Sequence, residues 1–302
     1  MDSINKCRIV PSNPSPEHPR TAMPQSPLSA LLAFEPSDER SLVEYEIGGI
    51  GLIGDDREAA AQMIADDGMV VACGASSVLM RWRDRRDGGV AQEGARLEAL
   101  RTFMNIGFGL PDRQKNPDHV QGHVAELLWS RVIGERRTCR DGRAFVTSEP
   151  IKADPLEPGG DGLVVYKSDA GTLVFRLWEI KKHDSSARVS QTINRAGKQL
   201  KTRGHEYLAK IAGPSTLTAT GDLAELYDSM LDLWFDRSSR AGVGVAVSAS
   251  DEHAPTGRRA FKSLRTHFPA FTETGQTESL VFAVPDFPGF VNRVQEIVWS
   301  GL

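Results

Sequence analysis

GGDGLVVYKSDAGTLVFRLWEIKKH, residues 159–183, decides how this chain is read. Gly159 and Gly160 punctuate its start, and Leu163 to Tyr166 form a β-branched and aromatic run. Ser168-Asp169-Ala170-Gly171 carry turn chemistry, and Thr172 to Ile180 form a second apolar run. The pattern predicts a β-hairpin. If it folds symmetrically about Ala170, facing residue numbers share one sum, and Asp161 stands opposite Glu179 with Cβ atoms roughly 5 Å apart. Side chains alternate along a strand, so Glu179 and Lys181 share a face while Ile180 points the other way. Two carboxylates and one ammonium therefore converge at the open end of the hairpin.

Paired carboxylates repel one another and cost folding free energy unless a cation or Lys181 offsets them. Oxygen ligands at that separation suit Mg²⁺ or Mn²⁺, which take one or two carboxylates together with water and substrate phosphate oxygens. Glu-x-Lys alone is common and reads equally as an incidental surface pair. Asp161 at the matching register turns it into a candidate metal centre. Upstream, Asn116-Pro117-Asp118 closes a loop and offers an N-cap to a helix whose stripe runs through Val120, Val124, Leu127 and Leu128. Glu126 falls on a neighbouring strip with Gly122, Trp129 and Ile133, which puts a carboxylate into largely apolar surroundings. Taken alone it reads equally well as an exposed Glu beside a partly covered Trp.

Helix Glu126, then Gly160-Asp161-Gly162 opening a strand, then Glu179-Ile180-Lys181 closing the next, then a basic helix: this order resembles the PD-(D/E)xK nuclease superfamily. The resemblance covers roughly residues 118–211. It implies an α/β fold with a restriction-endonuclease-like αβββαβ core, a mixed sheet flanked by helices, and Mg²⁺- or Mn²⁺-dependent cutting of phosphodiesters. It further implies that Asp161 and Glu179 hold the metal with help from the Ile180 carbonyl. Lys181 would orient or activate the attacking water, and Glu126 would complete the acidic cluster. Gly160 stands where the motif's Pro would be, a departure the superfamily often tolerates, and the Q-x-x-x-Y helix of RecB-like exonucleases is missing. The overall layout, with Glu179-Ile180-Lys181-Lys182-His183 at its centre, is similar to the small nuclease subunits of Hachiman-type anti-phage defence systems. That implies DNA as substrate and a helicase partner.

From Ser185 to Lys210, Val189, Ile193, Ala196 and Leu200 recur at helical spacing, while Arg188, Arg195, Lys198, Lys201 and Lys210 fall on the flanks or the opposite side. A basic helix beside a metal site suits a polyanion backbone, although most charge runs are simply solvated surface. Lys182, His183, Arg195 and Lys198 are the candidate nucleic-acid contacts, and Gln191, Asn194 and Gln199 could also reach a phosphate or a water.

The remainder reads as follows. Residues 1–28 are rich in Pro and Ser and predict a disordered tail. Residues 29–110 form an accessory region packed on the core: a strand Val43 to Ile47, a helix Arg57 to Ala65, a strand Met69 to Cys73, a mobile loop Arg81 to Gly94 and a helix Ala95 to Met104. Residues 111–302 form the nuclease core with a C-terminal extension. There the pattern predicts a helix Asp222 to Phe235, a strand Val243 to Ser248, a helix Arg258 to Thr266, a strand Ser279 to Val284 and a helix Pro288 to Trp299.

Two decoys are set aside. Gly49-Ile50-Gly51-Leu52-Ile53-Gly54 matches the dinucleotide fingerprint, but Asp55 and Asp56 follow where phosphate would sit, so a Gly-rich turn before an Asp-capped helix is the better reading. His119 and His123 lie one helical turn apart, but Val120 replaces the Glu that zinc-protease chemistry needs, leaving His119 to capping or loop packing and His123 to partial burial.

The 302 residues carry a net charge of −4, so any basic surface is local. Cys7, Cys73 and Cys139 are too few and too widely spaced for a disulfide framework or a C-x-x-C zinc site, which points to a reducing cytoplasm. No apolar run approaches the roughly 18 residues of a membrane span, so no membrane partner is expected. Besides the nuclease, the residues allow a nuclease-like scaffold that grips nucleic acid or a helicase without cutting, and a phosphohydrolase acting on free nucleotides.

Overall fold

The structure, a computed structural model, describes residues 26–37, 43–154, 156, 161–183 and 187–302. Residues 1–25, which make up most of the expected tail, lie outside the described residues, as do Gly159 and Gly160. In chain order the elements are α1 (Leu28–Leu32), β1 (Glu35–Pro36), β2 (Glu44–Gly48), α2 (Gly54–Cys73), α3 (Ser77–Arg86), α4 (Gly94–Gly107), β3 (Gly109–Leu110) and β4 (Arg113–Gln114). Next come α5 (Pro117–Glu135), β5 (Ala144–Ser148), β6 (Gly162–Lys167), β7 (Leu173–Lys182), α6 (Val189–Ser215) and α7 (Asp222–Phe235). The chain ends with β8 (Val243–Ala249), two 3₁₀ turns (Asp251–His253 and Arg258–Phe261), α8 (Lys262–His267), β9 (Thr277–Ala283) and α9 (Phe287–Trp299).

Seven strands form one mixed sheet in the order β1-β2-β9-β8-β7-β6-β5. The β5–β6–β7 meander is antiparallel, β7, β8, β9 and β2 run parallel to one another, and β1 closes the other edge antiparallel to β2. Alternation along the strands sorts the core into two halves. Val164, Tyr166, Trp178, Ile180, Ala246 and Phe282 pack with α1 to α5 and α9, whereas Leu163, Val165, Phe175, Leu177, Val245 and Val281 pack with α6 to α8. Helices cover both faces, which is why β8 and β9 read as continuous rather than alternating apolar runs.

Four expectations are corrected. Leu28, assigned to the tail, opens α1 and is fully buried. The helix Arg57 to Ala65 and strand Met69 to Cys73 are one helix, α2. Gly68 looks like a breaker but is a packing position, where a Cβ would stand 2.4 Å from the Phe108 ring. Only 87–93 of the expected loop Arg81 to Gly94 lie outside helices, because its first part belongs to α3: Trp82 is buried and donates to the Val298 carbonyl at 2.8 Å, while Arg83 and Arg86 both pair with Asp66. Its charged composition hid a tertiary contact. Finally, α2 begins at Gly54 behind Ile53, with Asp55 and Asp56 in its first turn rather than at the cap, and no strand follows it as a dinucleotide fold would require.

Candidate metal centre

The β6–β7 hairpin turns at Ser168–Gly171, where Gly171 adopts φ +80°, Gly171 N donates to the Ser168 carbonyl at 2.8 Å, and Ser168 N donates to Thr172 O at 2.9 Å. The turn sets the register: six facing pairs, from Gly162–Trp178 to Lys167–Leu173, keep a constant sum of residue numbers. Continuing that register one step sets Asp161 opposite Glu179.

On the far side β7 pairs with β8, Glu179 against Val245 and Lys181 against Val247, so Glu179 is enclosed with an exposure of 0%. Asp161 Oδ2 accepts from the Ile180 amide at 2.7 Å and lies 3.6 Å from Lys181 Nζ. Lys181 Nζ also contacts Glu179 Oε1, so the ammonium bridges the two carboxylates. Among the described residues Oε2 of Glu179 meets no hydrogen-bond donor.

Glu126 reaches the same cluster from the opposite layer. Its helix is anchored by Asn116, whose side chain accepts from Asp118 N at 2.9 Å, by Pro117 in the first turn, and by Trp129, which packs onto the bare backbone of Gly162. A Cβ on Gly162 would lie 2.2 Å from that ring, so Gly162 permits α5 to approach the strand that follows Asp161.

The electrostatics record the crowding. Burial, then the Asp161 charge, push Glu126 up to about 8, against the opposing pull of Lys181 and Lys152. Burial and Asp161 likewise push Glu179 up to about 8, with Lys181 pulling the other way. Burial works against the Lys181 charge, but Asp161 and Glu179 outweigh it and hold the ammonium above its ordinary range. Three acids and one ammonium thus share a single field. Among the described residues no three His, Cys, Asp or Glu side chains form a ready ligand group.

The candidate nucleic-acid residues divide. Lys182 pairs with Asp118 and ties the end of β7 to the start of α5. His183 is 7% exposed, its Nδ1 lies 3.0 Å from Thr192 Oγ1, and its ring meets His253 edge to face at 5.2 Å. Arg195 is exposed and donates to Thr192 Oγ1 at 3.2 Å. Lys198 is exposed, and its charge and that of Lys201 reach His267 on α8.

Two residues near the acids escaped sequence reading. Tyr207 is 2% exposed, and its hydroxyl accepts from Gln199 Nε2 at 2.9 Å. Arg203 lies over the Tyr207 ring at 5.2 Å. Gln199, Arg203 and Tyr207 recur at four-residue spacing, a signal that α6 carries a polar stripe there as well as a basic one. His123, expected to be partly buried, is fully enclosed beside Phe108, and burial pushes its imidazole down to about 4.

No family model matches the chain, and no curated protein is significantly similar to it in sequence. Among the described residues no helix is long and apolar enough to cross a membrane.

Proposed function

We propose that this chain is a divalent-metal-dependent nuclease that hydrolyses DNA phosphodiesters on a restriction-endonuclease-like core. The observation that carries the reading is the convergence of Asp161, Glu179 and Lys181 at one end of the hairpin, with Glu126 in the same field. The order α5-β5-β6-β7-α6-α7-β8 supports it, since it contains the αβββαβ sequence with one added helix.

The residues fit a hard cation. Glu179 is enclosed and has an oxygen without a donor, and carboxyls pushed to about 8 by burial and mutual repulsion are relieved by added positive charge. Asp161 and Glu179 would hold Mg²⁺ or Mn²⁺, with Glu126 completing the set. Bound there, the ion would polarise the scissile phosphate and acidify a water. Lys181 holds its proton at Nζ between the two acids and would donate from it to the water or to a non-bridging phosphate oxygen, placing charge where the pentacovalent phosphate develops it. On α6, Gln199 donates to the buried Tyr207 hydroxyl and so fixes that ring within the layer that covers the acids. Exposed Arg203 and Arg195 line the approach for a polyanion. A helicase partner and a role in anti-phage defence enter this proposal through the resemblance to Hachiman-type subunits.

One observation favours the competing reading of a scaffold that grips nucleic acid or a helicase without cutting: Lys181 already bridges both carboxylates without a metal. Incubating labelled DNA with the protein in Mg²⁺ or in EDTA separates the two. The nuclease reading expects product only with metal, and none from Glu179→Ala or Lys181→Ala. Full cutting by both variants would dismiss the site, and metal-independent binding without product would support the scaffold.

A further inference from the structure

A second basic feature lies at the far end of α6. Past the carboxyl ends of β7 and β8, the start of α6 and the loop through residues 251–260 enclose a cleft of about 780 Å³. Arg188, Arg258 and Arg259 line it from two separate segments, and all three are exposed. Among the described residues none of the three makes an ion pair. Among the described lining residues the one acid, Glu252, lies 3.8 Å from His253 Nε2, and that histidine lines the cleft too. Three exposed guanidinium groups facing one cleft, with no ion pair among the described residues, make a concentration of positive charge that suits a polyanion. The positive end of α6 adds to the same field.

The cleft is linked to the acids by one edge of α6. Arg188, Thr192, Arg195, Gln199 and Arg203 follow at spacings of three or four residues and so share one side of the helix. Arg203 lies over the Tyr207 ring, and the Glu179 carboxylate is among the charges that act on its guanidinium. From Arg188 to Arg203 the helix advances about 22 Å.

We propose that the Arg188–Arg258–Arg259 cleft is a docking subsite for the phosphodiester backbone of the nucleic-acid substrate, which runs from it along α6 past Arg195 to the acidic centre. The inference rests on the nuclease reading, because it names where that enzyme grips its strand away from the reacting phosphate. Guanidinium forks suit successive phosphates and read no bases, so the grip is independent of sequence and sensitive to salt.

The test measures binding of a fluorescein-labelled DNA oligonucleotide in EDTA across a salt series, where no cutting interferes. The variant Arg188→Ala/Arg258→Ala/Arg259→Ala should bind at least tenfold more weakly at low salt, and its slope of log affinity against log salt should be shallower by about 2–3, roughly one per lost phosphate contact. The matching triple Lys variant should keep most of the affinity, which shows that charge rather than folding is read. Inorganic phosphate at equal phosphate content should not displace the strand. Wild-type affinity and slope in the Ala variant, or displacement by inorganic phosphate, would overturn the proposal. Its fate is separate from that of the nuclease reading: a wild type that cuts while the Ala variant binds normally sinks the cleft alone, and a wild type that never cuts but binds through these arginines sinks the catalytic reading alone.

Discussion

Replacing Glu179 by Gln should stabilise the metal-free protein. Glu179 is completely enclosed, and burial with the neighbouring Asp161 charge moves its carboxyl from 4.5 to about 8. Its folded-state value lies above the unfolded one, so the folded state binds more protons between those two pH values, and stability falls as pH rises through that window. At roughly 1.4 kcal/mol per pH unit, the cost at pH 7 is about 3 kcal/mol. Gln carries no charge and escapes it, but gives up the contact with Lys181, whose side chain is one-third exposed, a loss of about 1–2 kcal/mol. The net gain in EDTA near neutral pH is about 1–2 kcal/mol, or several degrees in Tm, and it grows toward pH 8. Magnesium should reverse the order. Wild type gains about 2.7 kcal/mol at a hundredfold excess over its Kd, whereas Glu179→Gln, lacking the ligand, gains little. Melting curves of both proteins from about pH 5 to about pH 9, with EDTA and with MgCl₂, read all of this. A variant that melts below wild type at every pH and responds equally to Mg²⁺ would refute the reasoning.

Other perturbations probe the parts that place the cluster. Gly162→Ala puts a methyl group 2.2 Å from Trp129, so α5 must shift; the expected cost is about 1–3 kcal/mol, and Mg²⁺-dependent cutting should fall because Glu126 moves with that helix. Chemical denaturation with cleavage assays on the folded fraction checks both. The His123 imidazole, pushed down to about 4 by burial, is protonated more readily in the unfolded chain, so stability drains as pH falls from 6.5 toward 4 by about 3 kcal/mol. His123→Gln should flatten that limb in urea titrations. Tyr207→Phe removes the acceptor for Gln199 and should cost about 1 kcal/mol of stability. If Tyr207 steadies the Lys181 side of the cluster, the same variant lowers kcat more than it raises KM, whereas a purely structural role leaves the kinetics of the folded protein unchanged.

The hairpin was legible because its signals are local. Ser168 to Gly171 specify a tight turn, and a two-residue period then carries the register from Lys167–Leu173 to Gly162–Trp178 and one step beyond to Asp161 and Glu179. Helix α7 was equally plain, its stripe of Leu226, Met230 and Trp234 running unbroken into the core. What escaped depends on partners distant in sequence. Gly68 reads as a breaker until Phe108 is known to lie against it, and Trp82 in its arginine-rich setting reads as loop until the Val298 carbonyl receives its N–H. Strand β5 is only partly buried and sits at the sheet edge, so its pattern is weak. The acids could be paired from sequence, but which edge of α6 faces them could not. Lys198 was grouped with Arg195, but its charge reaches His267 on α8, and the four-residue recurrence of Gln199, Arg203 and Tyr207 did not by itself say that Tyr207 is buried.

The central claim is that Asp161 and Glu179 share a divalent cation beside Lys181. Its most direct test is the anomalous scattering of crystals soaked in Mn²⁺. The account predicts one strong peak bonded at about 2 Å to an oxygen of each carboxylate, with Lys181 Nζ displaced from between them. Density with no such peak, or Mn²⁺ bound elsewhere while Lys181 still bridges the two acids, would contradict it.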